Sequence, residues 1–336
     1  MTSLALYRLP GHELATRIVS HQAPTACSSY AELAGLTGFV IAPFAITREE
    51  PALVIDPGEV TSFRPKAERR NLHAIDCTDA TERERYAQNF ATMHKKLVDG
   101  IFSKIVLARQ KRIELQDEFQ AIALFQKACT LYPRQMVMLT HTPTSGTWLT
   151  ATPEVLLQGC DGRWRTMALA GTMLATSAPA PWDEKNIREQ EVVARYIHTC
   201  LSAFSHDIKE HGPVTTQAGG LLHLKSEFDF SLNDPRQMGA LLSALHPTPA
   251  VCGMPKDSAL QLILDTERPP RSYYSGFMGP MGMSDATHLY VSLRCMRIAG
   301  PSCTLYAGSG LMRDSDPQSE WEETEGKLKT MLEVFQ

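Results

Sequence analysis

The residues best suited to chemistry in this 336-residue chain are charged groups set into apolar surroundings. Lys104 interrupts the apolar run Ile101–Ala108. A lysine stripped of water in such a strand favours its neutral form and suits a general base; an edge-strand lysine with its head group in water fits the same pattern. Glu154, after Thr152-Pro153, opens Val155-Leu156-Leu157. Desolvation there would keep its carboxyl protonated, as a general acid requires, whereas an exposed carboxylate at a strand start would not be perturbed. His223 and Lys225 share one face of LLHLKSEF, and Tyr290, Ser292 and Arg294 share one face of LYVSLRCMRI. Residues of this kind also occur as satisfied structural groups. The run Tyr306-Ala307-Gly308-Ser309-Gly310 could offer backbone N–H groups to an anion, but it is not the dinucleotide fingerprint.

Two helices would bring carboxylates together. In the last one, Asp316-Pro317 supplies an N-cap and a proline at the first helical position. At about 100° per residue, Trp321, Leu328, Met331, Leu332 and Phe335 share one side, and Glu320, Glu323 and Lys327 border that apolar stripe. A second helix opens at Trp182. Its apolar face, Val193, Ile197, Leu201 and Phe204, continues toward the N-terminus through Asn186 and Gln190, with Glu189 at its margin. Polar groups that extend a buried stripe cost free energy unless they find partners, which a wet cavity would supply. Carboxylates from two helices at one cavity rim make a hard, oxygen-only site of the kind magnesium prefers. Glutamate-rich surface helices, with a weak Glu323–Lys327 pair, fit the same spacing.

The elements that must position these groups are legible from periodicity. Thr81–Val98 reads as an amphipathic helix closed by Asp99-Gly100. Strands are predicted at Ile101–Arg109, Met136–His141, Trp148–Ala151, Glu154–Gln158, Trp164–Leu169, Leu221–Phe228, Leu289–Ile298 and Cys303–Ala307. Further helices are predicted at Phe119–Leu131, Trp182–Phe204, Pro235–Leu245, Lys256–Thr266 and Pro317–Phe335. The Ala/Pro stretch Thr176–Pro181 reads as a loop before a helix, and residues 1–80 hold short strands such as Gly38–Ala42 between turn signals. Strands cluster without βαβ alternation, which favours an α+β fold on a large antiparallel sheet.

Composition narrows the classes. Hydrophobic residues make up 43% and charged residues 21%, so a disordered or coiled-coil chain is excluded. The formal charge of −4 argues against nucleic acid or an anionic membrane as main partner, though not against a small anion. Eight cysteines are scattered without CxxC or zinc spacing, as for buried free thiols in a reducing compartment. There is no signal-like N-terminus and no apolar run long enough to span a membrane, so a soluble cytoplasmic protein is expected. No heptad or long apolar strip points to an obligate assembly, and a monomer is expected.

Taken together, these segments resemble the chorismate-utilising enzymes, the family of isochorismate, salicylate, anthranilate and aminodeoxychorismate synthases. The matching pieces are SKIVLAR (103–109), TPEVLL (152–157), LAGT (169–172), KNIREQEVV (185–193), HL (223–224), LHPTPAVCGMPK (245–256), YYSGFMG (273–279), LRCMRI (293–298), LYAGSGL (305–311) and SEWEETEGKL (319–328). They follow the family's order over residues 85–336, while residues 1–80 resemble it only loosely. The resemblance implies one domain over residues 1–336, with large antiparallel sheets packed as a sandwich, helices outside, and residues 1–80 completing the sheet. It implies that Glu189 and Glu323 ligate Mg2+, with Glu320 acting through water, and that the ion holds the ring carboxylate of chorismate. Arg294, Tyr274, Gly308 and Gly310 would cradle the enolpyruvyl carboxylate, and Gly171, Thr172, His223 and Lys327 match substrate-contacting positions. The chain departs from the family at Asn186 and Gln190, where an acid and a histidine are common.

Within the family the pattern is closest to isochorismate synthase, whose product feeds menaquinone or siderophore synthesis. The ammonia-using members resemble one another in carrying an uncharged residue where Lys104 stands. Ala170 occupies the place of the aminodeoxychorismate synthases' nucleophilic lysine, and Ala250 that of a threonine usual in salicylate synthases. The expected reaction is reversible: Lys104 deprotonates water attacking ring C2 while Glu154 protonates the departing C4 hydroxyl. Salicylate synthase, which adds pyruvate elimination, is the nearest alternative. Anthranilate synthase and a non-catalytic chorismate-binding relative stand further off.

Overall fold

Period-two burial builds the sheets. From Leu224 to Ser231, for example, buried Leu224, Ser226, Phe228 and Phe230 alternate with half-buried Lys225, Glu227, Asp229 and Ser231. The computed structural model describes residues 2–67, 71–175 and 181–336, and its strands form two antiparallel sheets. The ten-stranded sheet runs Gly253–Met254, Lys104–Leu115, Ser302–Leu311, Cys295–Ala299, Gly146–Thr152, Met136–Thr142, Ser3–Arg8, Ala15–Ser20, Glu59–Phe63; Ala74–Asp76 also pairs with Lys104–Leu115. The nine-stranded sheet runs Lys209–Ala218, Leu221–Ser231, Arg163–Leu174, Val155–Cys160, Ala286–Val291, Phe277–Met281, Gly38–Ala42, Ala52–Ile55, Thr25–Cys27.

The sheets pack face to face. Tyr7, Met138, Trp148 and Tyr306 from one meet Phe39, Leu53, Met167 and Tyr290 from the other in a single apolar layer. Helices cover the outer faces. They are α1 (Glu82–Val98), α2 (Ala121–Leu131), α3 (Glu184–Ser202), α4 (Met238–Leu245), α5 (Lys256–Thr266) and α6 (Pro317–Leu332). α3 and α4 bury Val193, Ile197, Leu201 and Leu242 on the nine-stranded sheet. α2 and α6 bury Phe125, Leu328 and Met331 on the ten-stranded one, and α1 and α5 close its edge through Phe90, Met93 and Ile263. The fold is thus the α+β sandwich with helices outside. No helix among the described residues is long and apolar enough to cross a membrane.

Four expectations are corrected. The segment Leu289–Ile298 is not one strand: Ala286–Val291 belongs to the nine-stranded sheet and Cys295–Ala299 to the ten-stranded one. Between them the chain turns, with Arg294 at φ 47°, a left-handed conformation uncommon for a side-chain-bearing residue. Apolar residues on both sides of the crossing concealed it, and the shared face of Tyr290, Ser292 and Arg294 does not exist as a continuous strand face. Second, Lys209–Ala218 is a strand the sequence did not announce. Its Gly212-Pro213 reads as a turn, but it sits at a register shift on the sheet edge, where a missing N–H is tolerated. Third, Arg163–Leu174 runs past Leu169 through a bulge between Ala170 and Thr172, with Gly171 at φ 69°. Fourth, the cysteines are free but not all buried, since Cys77 and Cys160 are exposed. Residues 176–180 of the predicted loop lie outside the described residues.

Candidate active site

Both helix starts that carry the acidic residues are capped as their sequences require. Asp183 accepts from Asn186 N–H at 2.8 Å to open α3, and Asp316 accepts from Ser319 N–H at 2.8 Å to open α6, with Pro317 in the first turn. The two helices deliver Glu189, Glu320, Glu323 and Lys327 toward the end of the sandwich where the Gly171 bulge and the Arg294 crossing lie.

A cavity enclosing about 610 Å³ of empty space, its mouth included, opens there. Its walls bring together Glu154 after the Pro153 turn, Gly171 and Thr172 from the bulge, and His223 from the neighbouring strand. Tyr274, Arg294, Gly308, Gly310, Glu189 and Lys327 complete the polar lining. Lys104 lies directly under the floor: a Cβ built on Gly310 would stand 2.9 Å from Lys104 Cε and 2.1 Å from Glu189 Oε1. A side chain at 310 would push Glu189 and Lys104 out of their present positions, and Gly308 is crowded by Tyr274 Oη at 3.0 Å. Glu320 and Glu323 line a second cavity, which shares Thr172 with the first.

Electrostatics separate the roles these groups can play. Lys104 is fully buried, with Nζ 2.9 Å from Glu189 Oε1. Glu154 is 2% exposed, and burial pushes its carboxyl up to about 7 against the pull of Lys104, Lys327 and Arg294. It is therefore a proton donor near neutrality. Arg294 is buried and, among the described residues, has no carboxylate in ion-pair contact. It donates to His223 Nε2 at 3.1 Å. A guanidinium can only donate, so Nε2 accepts, and the ring proton sits on Nδ1, where Gly171 O accepts it at 3.0 Å. Burial and the charges of Arg294 and Lys327 hold His223 well below the usual imidazole range, so it stays neutral.

Asn186 and Gln190 face the backbone of the bulge. Asn186 Oδ1 accepts from Thr172 N–H at 2.8 Å, and Gln190 Oε1 accepts from Ala170 N–H at 2.9 Å. The cavity they were expected to find is lined by the segment they brace. Two polar groups that the sequence reading named without a site role belong here. Tyr306 stacks on Tyr274 with centroids 5.3 Å apart and lines the cavity, and Lys185 pairs with Glu320. The position of Lys185 one helical turn before Glu189 was the signal for the latter.

Each acidic residue proposed for a metal is answered by a lysine: Glu189 by Lys104, Glu323 by Lys327 at 2.6 Å, and Glu320 by Lys185. No group of three His, Cys, Asp or Glu among the described residues is close enough to hold an ion as it stands. The donor set nevertheless fits a hard divalent cation: all are carboxylate oxygens, and Glu320 Oε2 is buried without a partner.

A helix-clad antiparallel sandwich holds a buried arginine without a carboxylate in ion-pair contact among the described residues, a glutamate able to donate a proton near neutrality and a rim of carboxylates around one cavity. The chain belongs to the chorismate binding enzyme family, whose model matches residues 56–336. It is 31% identical to isochorismate synthase MenF of Escherichia coli (strain K12) over 71% of this chain and 58% of that protein. It is 27% identical to isochorismate synthase DhbC of Bacillus subtilis (strain 168) over 88% of this chain and 80% of that one. Against isochorismate synthase MenF of the same Bacillus the match spans only 59% of that protein's length. Among solved structures, a putative 2,3-dihydroxybenzoate-specific isochorismate synthase, DhbC from Bacillus anthracis, superposes with TM-score 0.84 at 22% identity, covering 99% of this chain and 96% of that one.

Proposed function

We propose that this chain is an isochorismate synthase, a hydroxymutase that interconverts chorismate and isochorismate. The observation that carries the reading is buried Glu154, its carboxyl pushed up to about 7, lining a cavity with buried Lys104 beneath its floor in a chain of this family. A base and an acid are what a substitution with water in and water out requires.

The substrate is a dianion, and this chain has places for both of its ends. Arg294 takes the enolpyruvyl carboxylate, since burial without a carboxylate partner leaves its charge uncompensated until an anion arrives. His223 fixes the guanidinium's orientation through Nε2, and the Tyr274 hydroxyl faces the same space beside Gly308. Lys327, anchored to Gly308 O at 2.8 Å, holds a second positive charge at the rim. Glu189 and Glu323, with Glu320 beside them, would hold Mg2+, which when bound supplies positive charge for the ring carboxylate.

The chemistry then needs two proton transfers. Lys104, once it has given up the proton it holds against Glu189, takes a proton as the water oxygen bonds to ring C2. The ring double bonds shift, the C4–O bond breaks, and Glu154 gives its proton to the leaving hydroxyl, which departs as water. Atoms balance with one water consumed and one released, so the step runs in either direction. Each transfer is worth roughly 10²–10⁴-fold in rate.

The test is product analysis with chorismate and Mg2+. Isochorismate should form, and Lys104→Ala and Glu154→Gln should each lower kcat by about 10²–10⁴ without loss of folding. Release of pyruvate with salicylate would reassign the chain to salicylate synthesis, and anthranilate formed with ammonia present would reassign it to that branch. Undiminished turnover in either variant would remove the acid–base roles.

A further inference from the structure

Three acids, each paired with a lysine, lie around two cavities that share Thr172 in their linings, and the three pairs differ in what else holds the lysine. Lys104 is fully buried under Gly310 and cannot leave. Lys327 is tied to the Gly308 carbonyl as well as to Glu323. Lys185 has Glu320 as its one hydrogen-bond partner among the described residues, and its side chain is 22% exposed. Glu320 at the other end of that bond is 1% exposed and has a second oxygen, Oε2, buried with no partner.

This arrangement is a buried carboxylate stoppered by a lysine with a route to solvent. A bare carboxylate at that depth would be strongly unfavourable, and burial beside Glu323 pushes the group toward its protonated form, so it stays ionised only with a cation beside it. A divalent ion approaching the unpartnered oxygen would face the lysine's ammonium at short range, and two cations at that separation in a poorly screened cavity repel. The ammonium can relieve this by swinging outward, since its side chain keeps 22% of its surface in contact with solvent at the first turn of α3.

We propose that Lys185 is a displaceable internal counter-ion: it occupies Glu320 while no divalent cation is bound and withdraws toward solvent when one binds. Cation binding is then an exchange of one positive partner for another, and Lys185 sets its affinity. The inference rests on Glu189, Glu320 and Glu323 being the cation-facing set, but not on the identity of the reaction. Lys185 is a positioning residue and touches no substrate atom in this scheme.

The experiment is calorimetric titration of Mg2+ into the full chain without chorismate, for the natural sequence, Lys185→Gln and Lys185→Arg, with melting curves at zero and saturating Mg2+. Lys185→Gln should bind Mg2+ at least about fivefold more tightly, because the ion no longer displaces a like charge. Without Mg2+ this variant should melt below the natural protein, and saturating Mg2+ should close the gap. Lys185→Arg should bind Mg2+ more weakly, since a forked guanidinium grips the carboxylate harder. Equal or weaker Mg2+ binding by Lys185→Gln, with the melting gap persisting in Mg2+, would make Lys185 a fixed structural partner and overturn the proposal. If Lys185→Gln fails to fold, Lys185→Arg decides: weaker binding supports displacement and unchanged binding overturns it. If neither the natural protein nor a folded variant takes up Mg2+, the cation reading of the three carboxylates fails along with the proposal.

Discussion

At the scale of single residues, the molecule tunes its groups mainly by removing water. Glu154 titrates at about 7 against an ordinary 4.5 because it is buried. Between those values the folded protein binds more protons at this site than the unfolded chain does, so stability falls as pH rises through that window. Glu154→Gln should therefore gain stability relative to the natural protein between pH 4.5 and pH 8, by roughly 3 kcal/mol at most, in urea unfolding at the two pH values. Other titrating groups cancel in that difference, and a constant offset between the curves would show that the carboxyl is not perturbed. Turnover has the same sense: an acid that must be protonated makes kcat fall as pH rises through its own titration. His223 adds no limb to that profile, since it remains neutral throughout. Lys104 and Glu154 were visible in the sequence because each breaks an apolar run, and a charge in such a run must be either exposed or useful.

At the scale of elements, regular periodicity was easy to read and the site lies where it fails. The spans of α1 and α5, and most of the strands, follow from patterns of 3.6 and 2. The bulge at Gly171 and the crossing at Arg294 did not, because a local change of backbone hand leaves the flanking apolar pattern intact. Nor could spacing show that Asn186 and Gln190 serve the backbone of a neighbouring strand. That bracing has a measurable worth. Gln190→Met keeps the side chain's length but strips the partner from Ala170 N–H, and should cost about 1–3 kcal/mol in denaturant unfolding. As Ala170 and Gly171 line the cavity, KM for chorismate should rise more than kcat falls. Unchanged stability would mean that the amide relocates to another acceptor.

At the scale of the whole molecule, the first sixty-odd residues supply strands to both sheets: Ser3–Arg8 and Ala15–Ser20 to one, Gly38–Ala42 and Ala52–Ile55 to the other. We propose that residues 1–336 fold as one unit, although the motifs fall after residue 85. A chain lacking residues 1–63 should lose cooperative thermal unfolding, because Phe39 and Leu53 would be gone from between the sheets; a cooperative melt in that truncation would show that the remainder is independent. The crossing at Ser292–Arg294 gives this unity a further meaning. The same three residues span from one sheet to the other and present the guanidinium, so in the proposed binding mode the thickness of the sandwich is a ruler for where the anion would sit. Trp148, fully buried between the sheets against Tyr306, sets part of that thickness. Thinning it with Trp148→Leu should register as weaker substrate capture in steady-state kinetics, transmitted by a dimension of the scaffold and not by any lost contact with the ligand.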